Sequence, residues 1–265
     1  LGLITRNQIT EPSNWRSNQS FSEWLKKYNI PGISGIDTRA LTRKIRDEGA
    51  KTALLSYKKN ADFNFETIKN KIAAWPGLKD TDLAKTVTCS ATTEWSGGLY
   101  RFDFEQKLSS GLNVTKKYKV IAIDYGAKHN ILRCLETVGC EVILLPANST
   151  ANDVLSYNPD GIFLSNGPGD PEATSKYSSS EIRTLVETGI PLFGICIGHQ
   201  LLALALGGST SKMDRGHRGA NHPVKDLKTN QIEITSQNHG FVVNEHDLPN
   251  SLEVTHRSLF DGSIE

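Results

Sequence analysis

The sequence predicts an α/β protein, with a doubly wound, mostly parallel sheet in its C-terminal half and a smaller mixed α/β domain before it. From residue 118 onward, apolar runs alternate with helical segments, which is typical of a parallel sheet. A polar stretch rich in Gly, Ser and Lys begins at Glu94 and separates this half from an N-terminal region of capped helices. We therefore expect a first domain over residues 1–98, a linker over 99–117 and a second domain over 118–265.

The N-terminal region contains three predicted helices and no catalytic constellation. Ser20 and Glu23 form a capping box at the start of the first helix. This helix places four apolar residues on one face, namely Phe21, Trp24, Leu25 and Tyr28. The second helix directs Leu41 and Ile45 inward, and the third runs over residues 65–75.

The C-terminal half alternates strands with helices. The predicted strands are 120–123, 141–145, 161–164 and 191–195, and the predicted helices between them are 130–138, 151–157 and 179–188. In a sheet of this kind, ligands bind beyond the carboxyl ends of the strands. The segments that follow the strands are therefore the candidate site.

Cys196 lies on a predicted strand-to-helix turn. Gly194 and Gly198 flank it two residues away on each side, which is the arrangement of a nucleophile elbow. Glycine suits both positions because the turn is sharp and its backbone passes close to the nucleophile. The helix that follows, which Gly207-Gly208 ends, favours the thiolate through the partial positive charge at its N-terminus. A free cysteine between apolar residues is otherwise a small core residue, but the elbow sequence favours a nucleophile.

Two more segments follow strands. Ser165–Pro171 is either an ordinary turn or a glycine-rich loop whose backbone N–H groups bind substrate or an oxyanion. It lacks the Gly-Lys-Ser/Thr ending of a phosphate-binding loop. Gln237–Phe241 follows a strand over 232–235, and Asn238 and His239 form either a plain turn or part of a site.

No histidine is a convincing partner for the cysteine. A nucleophilic cysteine usually needs a base that a third group orients. His199 lies three residues after Cys196 on the helix and should point elsewhere, and none of the seven histidines is followed two residues later by Asp or Glu. His217 and His222 show no metal-binding spacing and no acidic partner, so we expect no metal site.

The composition is that of a globular chain of 265 residues, long enough for one large core or two ordinary ones. A net charge of +1 argues against nucleic acid or a membrane surface as the main partner. We find no membrane-spanning apolar run or signal peptide, and four cysteines without a Cys-x-x-Cys pair suit a reducing cytoplasm. The only methionine is Met213 and the chain stops just after the turn Phe260–Gly262, so we expect a fragment of a longer polypeptide.

The segment Gly194–Gln200, with the sequence Gly-Ile-Cys-Ile-Gly-His-Gln, resembles the nucleophile motif of the class I (triad) glutamine amidotransferases. Within this class the whole chain is similar to the small-subunit family of carbamoyl phosphate synthetases. The further segments that carry this similarity are 36–43, 124–133, 165–171, 216–224 and 237–241. The resemblance implies a flavodoxin-like amidotransferase domain, preceded by a domain that other amidotransferases of the class lack.

The resemblance also implies an activity. Cys196 would attack the side-chain amide of L-glutamine, release ammonia and form a γ-glutamyl thioester, which water would hydrolyse to glutamate. The backbone groups of Ile197 and Gly169 would hold the oxyanion. The glutamine-binding residues would be Gly167, Gly169, Ile197, Gln200, Asn238, Gly240 and Phe241.

The partner implied by the resemblance is a large synthetase subunit. It would receive the ammonia and combine it with bicarbonate, using ATP and its metal, to make carbamoyl phosphate for arginine and pyrimidine synthesis. This chain itself would hold no cofactor.

In this family a His-x-Glu pair completes the triad beyond the position of Glu265, and a glutamine-binding serine precedes Leu1. The resemblance therefore predicts poor glutamine hydrolysis by residues 1–265 alone. Two alternatives stay open. One is another class I amidotransferase, serving anthranilate or guanylate synthesis, which the first domain argues against. The other is a noncatalytic regulatory or scaffolding subunit, which the presence of Cys196 and Gln200 argues against.

Overall fold

The structure, a computed structural model, describes residues 2–15, 17–99 and 118–265. It divides into two compact units, Leu1–Gly77 and Leu78–Glu265. The sequence places this boundary later, at residue 98. The difference arises because residues 78–98 pack with the second unit, where the Asp170 carboxylate accepts a hydrogen bond from the Asp80 backbone N–H at 2.8 Å. Nearly all of the linker predicted over 99–117 lies outside the described residues.

The described part of the first unit contains a two-stranded parallel sheet and three helices. They are β1 (Leu3–Ile4), α1 (Phe21–Lys27), β2 (Gly32–Ile33), α2 (Thr38–Glu48) and α3 (Phe65–Ala73). The capping box is confirmed: the Ser20 hydroxyl accepts from the Glu23 N–H at 3.2 Å, and the Glu23 carboxylate accepts from the Ser20 N–H at 2.9 Å. The inward placement of Ile45 is wrong, because its side chain is 40% exposed on a helix that buries none of its residues.

Within its described residues, the second unit is built on a five-stranded sheet. Its strands are β3 (Thr93–Glu94), β4 (Tyr118–Asp124), β5 (Cys140–Pro146), β6 (Gly161–Leu164) and β7 (Leu192–Gly194). Their order is β3-β5-β4-β6-β7, with β4 to β7 parallel and the edge strand β3 antiparallel to β5. The mostly parallel sheet predicted from the sequence is confirmed.

Helices cover both faces of this sheet. They are α4 (Ala84–Val87), α5 (His129–Thr137), α6 (Ala151–Leu155), α7 (Pro171–Glu187) and α8 (Ile197–Ala205). Alternate residues of β4 point to opposite faces. Ile121 and Ile123 join the core under α7 and α8, whereas Ala122 packs with Leu132 of α5. The doubly wound arrangement is therefore confirmed. No helix in the described parts of the chain is long and apolar enough to cross a bilayer.

Helix α7 begins at Pro171, whereas the sequence predicts a start at residue 179. The earlier start follows from its cap, because the Asp170 carboxylate accepts from the Glu172 N–H at 2.9 Å and Pro171 occupies the first turn. The glycine-rich segment after β6 therefore runs directly into a helix.

A second, antiparallel sheet follows α8. Its strands are β8 (Thr210–Asp226), β9 (Ile232–Val243) and β10 (His256–Ser258), in the order β10-β8-β9. The sequence predicts only a short strand over 232–235 here, because β8 is rich in charged residues and glycine and shows no regular alternation. Pairing of the two long strands sets Arg218 opposite Asn238 and His217 opposite His239.

Candidate active site

Cys196 stands on the turn between β7 and α8, in a backbone conformation that residues other than glycine rarely adopt. Its φ is 55° and its ψ is −112°. A Cβ atom at Gly194 would lie 2.5 Å from the Gly198 carbonyl carbon, and one at Gly198 would lie 2.2 Å from the Leu164 carbonyl oxygen. Both glycines are required because backbone passes where a side chain would be. The elbow predicted from the sequence is confirmed.

Backbone groups from two segments converge on the Cys196 sulfur. The backbone N–H groups of Ile197 and Gly167 interact with Sγ and lower the pKa of the thiol, and the carbonyl oxygen of Asn238 lies 3.9 Å from Sγ. Burial raises the pKa of the Cys196 thiol, while these two N–H groups and the Arg218 guanidinium act in the opposite direction. Within the described residues, no histidine forms a hydrogen bond with Sγ. The Cys196 sulfur thus has fixed backbone neighbours, but no base contacts it in this part of the chain.

The loop after β6 is held against the end of β4. The Ser165 hydroxyl accepts from the Tyr125 N–H at 2.9 Å, and the Asn166 side chain accepts from the Lys128 N–H at 2.9 Å. Gly167 lies so close to Tyr125 that a Cβ would stand 1.9 Å from the Tyr125 carbonyl oxygen. Only glycine fits here, so the contact fixes the position of the Gly167 N–H beside the cysteine.

The second glycine of this loop packs elsewhere. Gly169 has a φ of +102°, and a Cβ on it would lie 2.8 Å from the Leu83 nitrogen and 2.9 Å from the Thr81 oxygen. The resemblance pairs Gly169 with Ile197 for the oxyanion. In the structure the loop N–H that reaches the sulfur is that of Gly167. Gly169 itself packs against the segment that contains Thr81 and Leu83, and its assignment to the oxyanion stays a prediction.

The segment over 237–241 belongs to β9, so its interpretation as a plain turn is wrong. Long antiparallel pairing with β8 keeps it extended. The buried Gln200 side chain on α8 donates to the Phe241 carbonyl oxygen at 2.8 Å. On the facing strand, Arg218 donates to the Asn238 side-chain oxygen at 2.5 Å, and a Cβ on Gly240 would lie 3.5 Å from this guanidinium. These contacts hold β9 beside the turn on which Cys196 lies.

Two protein-family models match this chain. The family model described as "Glutamine amidotransferase class-I" matches residues 121–265. This chain belongs to the class-I glutamine amidotransferase family. A second model, "Carbamoyl-phosphate synthase small chain, CPSase domain", matches residues 1–55. Family models thus match parts of both domains that the sequence resemblance implies, and that resemblance is confirmed.

Curated relatives match this chain over almost its whole length. The "Carbamoyl phosphate synthase small chain" of Brucella canis is 50% identical over 263 residues, which cover 99% of this chain and 64% of that protein. The protein of the same name from Brucella anthropi is 49% identical over 265 residues, with the same coverage. The chain thus spans 64% of the length of these relatives. A solved structure of a glutamine amidotransferase from Thermotoga maritima aligns with a TM-score of 0.44 and 18% identity, over 56% of this chain and 69% of that one.

The group that surrounds His217 carries no signal in the local sequence. The expectation that this histidine lacks acidic partners is wrong, because its Nε2 lies 2.9 Å from Asp261 and its Nδ1 lies 3.0 Å from Glu265. These carboxylates are more than 40 residues away along the chain. No local spacing could have found them.

Arg218 is a second residue that sequence reasoning did not single out, although it lies in one of the segments that carry the family similarity. Its position opposite Asn238 follows from the register of β8 with β9. Because its positive charge opposes the rise in the Cys196 pKa, removing that charge should raise this pKa further.

We expect Arg218→Ala to shift the pH dependence of Cys196 alkylation by iodoacetamide to higher pH, with slower reaction at neutral pH. Arg218→Lys keeps the charge and should stay closer to the native profile. Mass spectrometry of the Cys196 peptide follows the reaction, and the exposed Cys134 provides an internal control. Superimposable profiles for the native protein and Arg218→Ala would contradict the electrostatic role.

Proposed function

We propose that this chain is the glutamine-hydrolysing part of the small subunit of a carbamoyl phosphate synthase, and that it acts on L-glutamine through Cys196. The observation that carries the proposal is the convergence of the Ile197 and Gly167 N–H groups on Sγ of a strained elbow cysteine. A thiolate with two fixed donors beside it can attack an acyl carbon and stabilise the oxygen that becomes negative. The names of the relatives supply the synthase assignment.

In the proposed reaction, the Cys196 thiolate attacks the side-chain amide carbon of glutamine. The amide oxygen becomes an oxyanion and accepts hydrogen bonds from Ile197 and Gly167. The C–N bond then breaks, and the nitrogen takes the proton that the base removed from the thiol and leaves as ammonia, which yields the γ-glutamyl thioester. Water adds to the thioester carbon, glutamate leaves with the hydroxyl, and the sulfur is regenerated.

The proposed glutamine site combines the loop and strand segments around the elbow. The residues proposed to bind glutamine are Gly167, Gly169, Ile197, Gln200, Asn238, Gly240 and Phe241. Gln200 and Arg218 support this site by fixing the Phe241 carbonyl and the Asn238 side chain. The Phe241 carbonyl and the Asn238 side chain are thus each held by a neighbouring helix or strand, so the site is organised before substrate binds.

A base is needed, because burial keeps the pKa of the Cys196 thiol above its ordinary value. The curated relatives are longer than this chain. We place the base, as a His-x-Glu pair, in the part of the relatives that this chain does not span. The ammonia would then pass to a large subunit in the cytoplasm, which would use ATP and its metal to convert ammonia and bicarbonate to carbamoyl phosphate.

The test is to incubate the full natural chain with radiolabelled L-glutamine and quench the reaction in acid. We expect equal amounts of glutamate and ammonia, and a labelled acyl group on the peptide that contains Cys196. A glutamine analogue with an electrophilic carbon should label the same cysteine irreversibly. L-Asparagine, which is one methylene shorter, is the matched substrate control and should give neither product.

Two outcomes would overturn the proposal. Absence of both hydrolysis and labelling at Cys196 would favour the noncatalytic scaffolding alternative. Labelling without any stimulation of carbamoyl phosphate formation by a co-purified large subunit would favour another class I amidotransferase.

A further inference from the structure

A cluster of two histidines and one glutamate joins β8 and β9 to Glu265, with His217 buried and the other two residues partly buried. His217 Nδ1 is 3.0 Å from one Glu265 carboxylate oxygen, and His239 Nε2 is 3.5 Å from the other. The potential ligand atoms of all three residues lie within 4.8 Å of one another. The side chains are only 8–10% exposed. Two imidazoles and a carboxylate are thus close together and largely shielded from water.

Each histidine in the cluster is oriented by a hydrogen bond through its other ring nitrogen. Nε2 of His217 lies 2.9 Å from the Asp261 carboxylate, and Nδ1 of His239 lies 2.9 Å from the Phe241 carbonyl oxygen. A carbonyl oxygen only accepts, so Nδ1 of His239 carries a proton, and in the neutral ring Nε2 is left with its lone pair. Histidines that bind metals donate their second N–H to a carboxylate or a backbone carbonyl in this way.

The lone pair of His239 has no partner among the described residues. Its Nε2 is buried without a hydrogen bond and faces a carboxylate oxygen, which is also an acceptor. Two facing acceptors are unfavourable unless a proton or a cation lies between them. A metal ion between the three side chains would accept the lone pairs of both the His239 Nε2 and the Glu265 oxygen.

We propose that His217 Nδ1, His239 Nε2 and the Glu265 carboxylate form a binding site for a divalent transition-metal ion of the Zn²⁺ type. Two imidazoles and one carboxylate are a known ligand set for zinc, with a water in the fourth position. Tetrahedral bonds of about 2.0–2.1 Å place the ligand atoms roughly 3.4 Å apart. The distances from the two histidine nitrogens to the nearer Glu265 oxygen, 3.0 and 3.5 Å, are close to that spacing. Mg²⁺ and Ca²⁺ prefer oxygen ligands, so two imidazoles disfavour them.

The protein framework holds these ligands in place. His217 and His239 are paired opposite each other on β8 and β9. Glu265 follows Ile264, which is buried and forms an antiparallel bridge with Arg257, and the Glu265 N–H donates to the His256 carbonyl oxygen at 3.2 Å. All three ligands therefore come from paired backbone, so little reorganisation is needed to bind an ion.

The site is separate from the cysteine but shares a strand with it. His239 lies between Asn238 and Gly240, and the Asn238 carbonyl oxygen is the group 3.9 Å from Cys196 Sγ. An ion on His239 would tie this part of β9 to β8 and to Glu265. The inference needs no catalytic activity, so it stands or fails independently of the proposed function.

The test is to titrate the metal-free full chain with ZnCl₂ in a calorimeter. The thermal unfolding of the metal-free and the zinc-loaded protein is then compared. We expect uptake of one equivalent, a rise in the melting temperature, and with Co²⁺ the visible absorption of a tetrahedral site. Glu265→Gln should abolish this uptake. Asp261→Asn, which removes the charge that orients His217, should weaken affinity by about 10–100-fold.

Two matched variants separate this site from other zinc ligands. Cys196→Ala removes the thiol at the elbow, and His246→Asn removes a histidine that is 77% exposed. Both should take up one equivalent with native affinity. The proposal is overturned if the native protein shows no saturable uptake of Zn²⁺ or Co²⁺, if Cys196→Ala abolishes uptake, or if Glu265→Gln binds as the native protein does. Because the native Co²⁺ spectrum needs no substitution, a variant that fails to fold does not prevent the test.

Discussion

Gly198→Ala is expected to destabilise the second unit by at least ~3 kcal/mol, the upper end of the usual cost of overpacking, and to abolish the reactivity of Cys196. A methyl group at this position would lie 2.2 Å from the Leu164 carbonyl oxygen and 2.7 Å from its carbonyl carbon. These atoms belong to β6, which is hydrogen-bonded between β4 and β7 and cannot move away. Helix α8 would have to shift instead, and Cys196 caps its N-terminus.

Urea unfolding of Gly198→Ala, together with iodoacetamide alkylation of Cys196, measures both effects. Gly161→Ala is the matched control. Gly161 lies on β6, the strand that Gly198 approaches, and the nearest atom to a Cβ added at Gly161 is 3.7 Å away. The control should lose much less stability and keep a reactive cysteine. Equal losses for the two variants would show that the close approach of the elbow to β6 is not what makes glycine necessary.

In the full natural chain, Cys196→Ser is expected to lower glutamine hydrolysis by at least about 10³-fold while leaving the fold intact. A serine hydroxyl holds its proton far more tightly than a thiol, and no base contacts this position in the described residues. The two side chains are almost the same size, so the elbow conformation and the N–H contacts should persist. Stopped assays of glutamate release report the loss, and the melting temperature reports the fold.

The control for this variant is Cys134→Ser, at an exposed cysteine on α5. It should keep native hydrolysis and native stability. If Cys196→Ser kept more than a few per cent of the native rate, the nucleophile would have to lie elsewhere. If it lost its fold as well, the loss of activity would carry no information about the reaction, and Cys196→Ala would replace it in the same assay.

Local sequence signals predicted the elements of the sheet well, because those signals act over a few residues. The strand over 161–164 and the capping box at Ser20 are present as predicted, and the elbow at Cys196 adopts the expected turn. Errors occurred where tertiary contacts override local pattern. Helix α7 starts early because Asp170 caps it, and the region over 237–241 stays extended because β8 pairs with it.

By itself, the sequence determined the fold class, the position of the candidate nucleophile and the family. Alternation of apolar runs, turn glycines and the motif around Cys196 are all written within short windows of the chain. Only the tertiary structure decided that the Gly167 N–H reaches the sulfur and that Arg218 lies close to it. It alone also brought His217 and His239 onto Glu265. Those contacts join residues tens of positions apart, and strand register and backbone packing fix them without leaving a local pattern in the sequence.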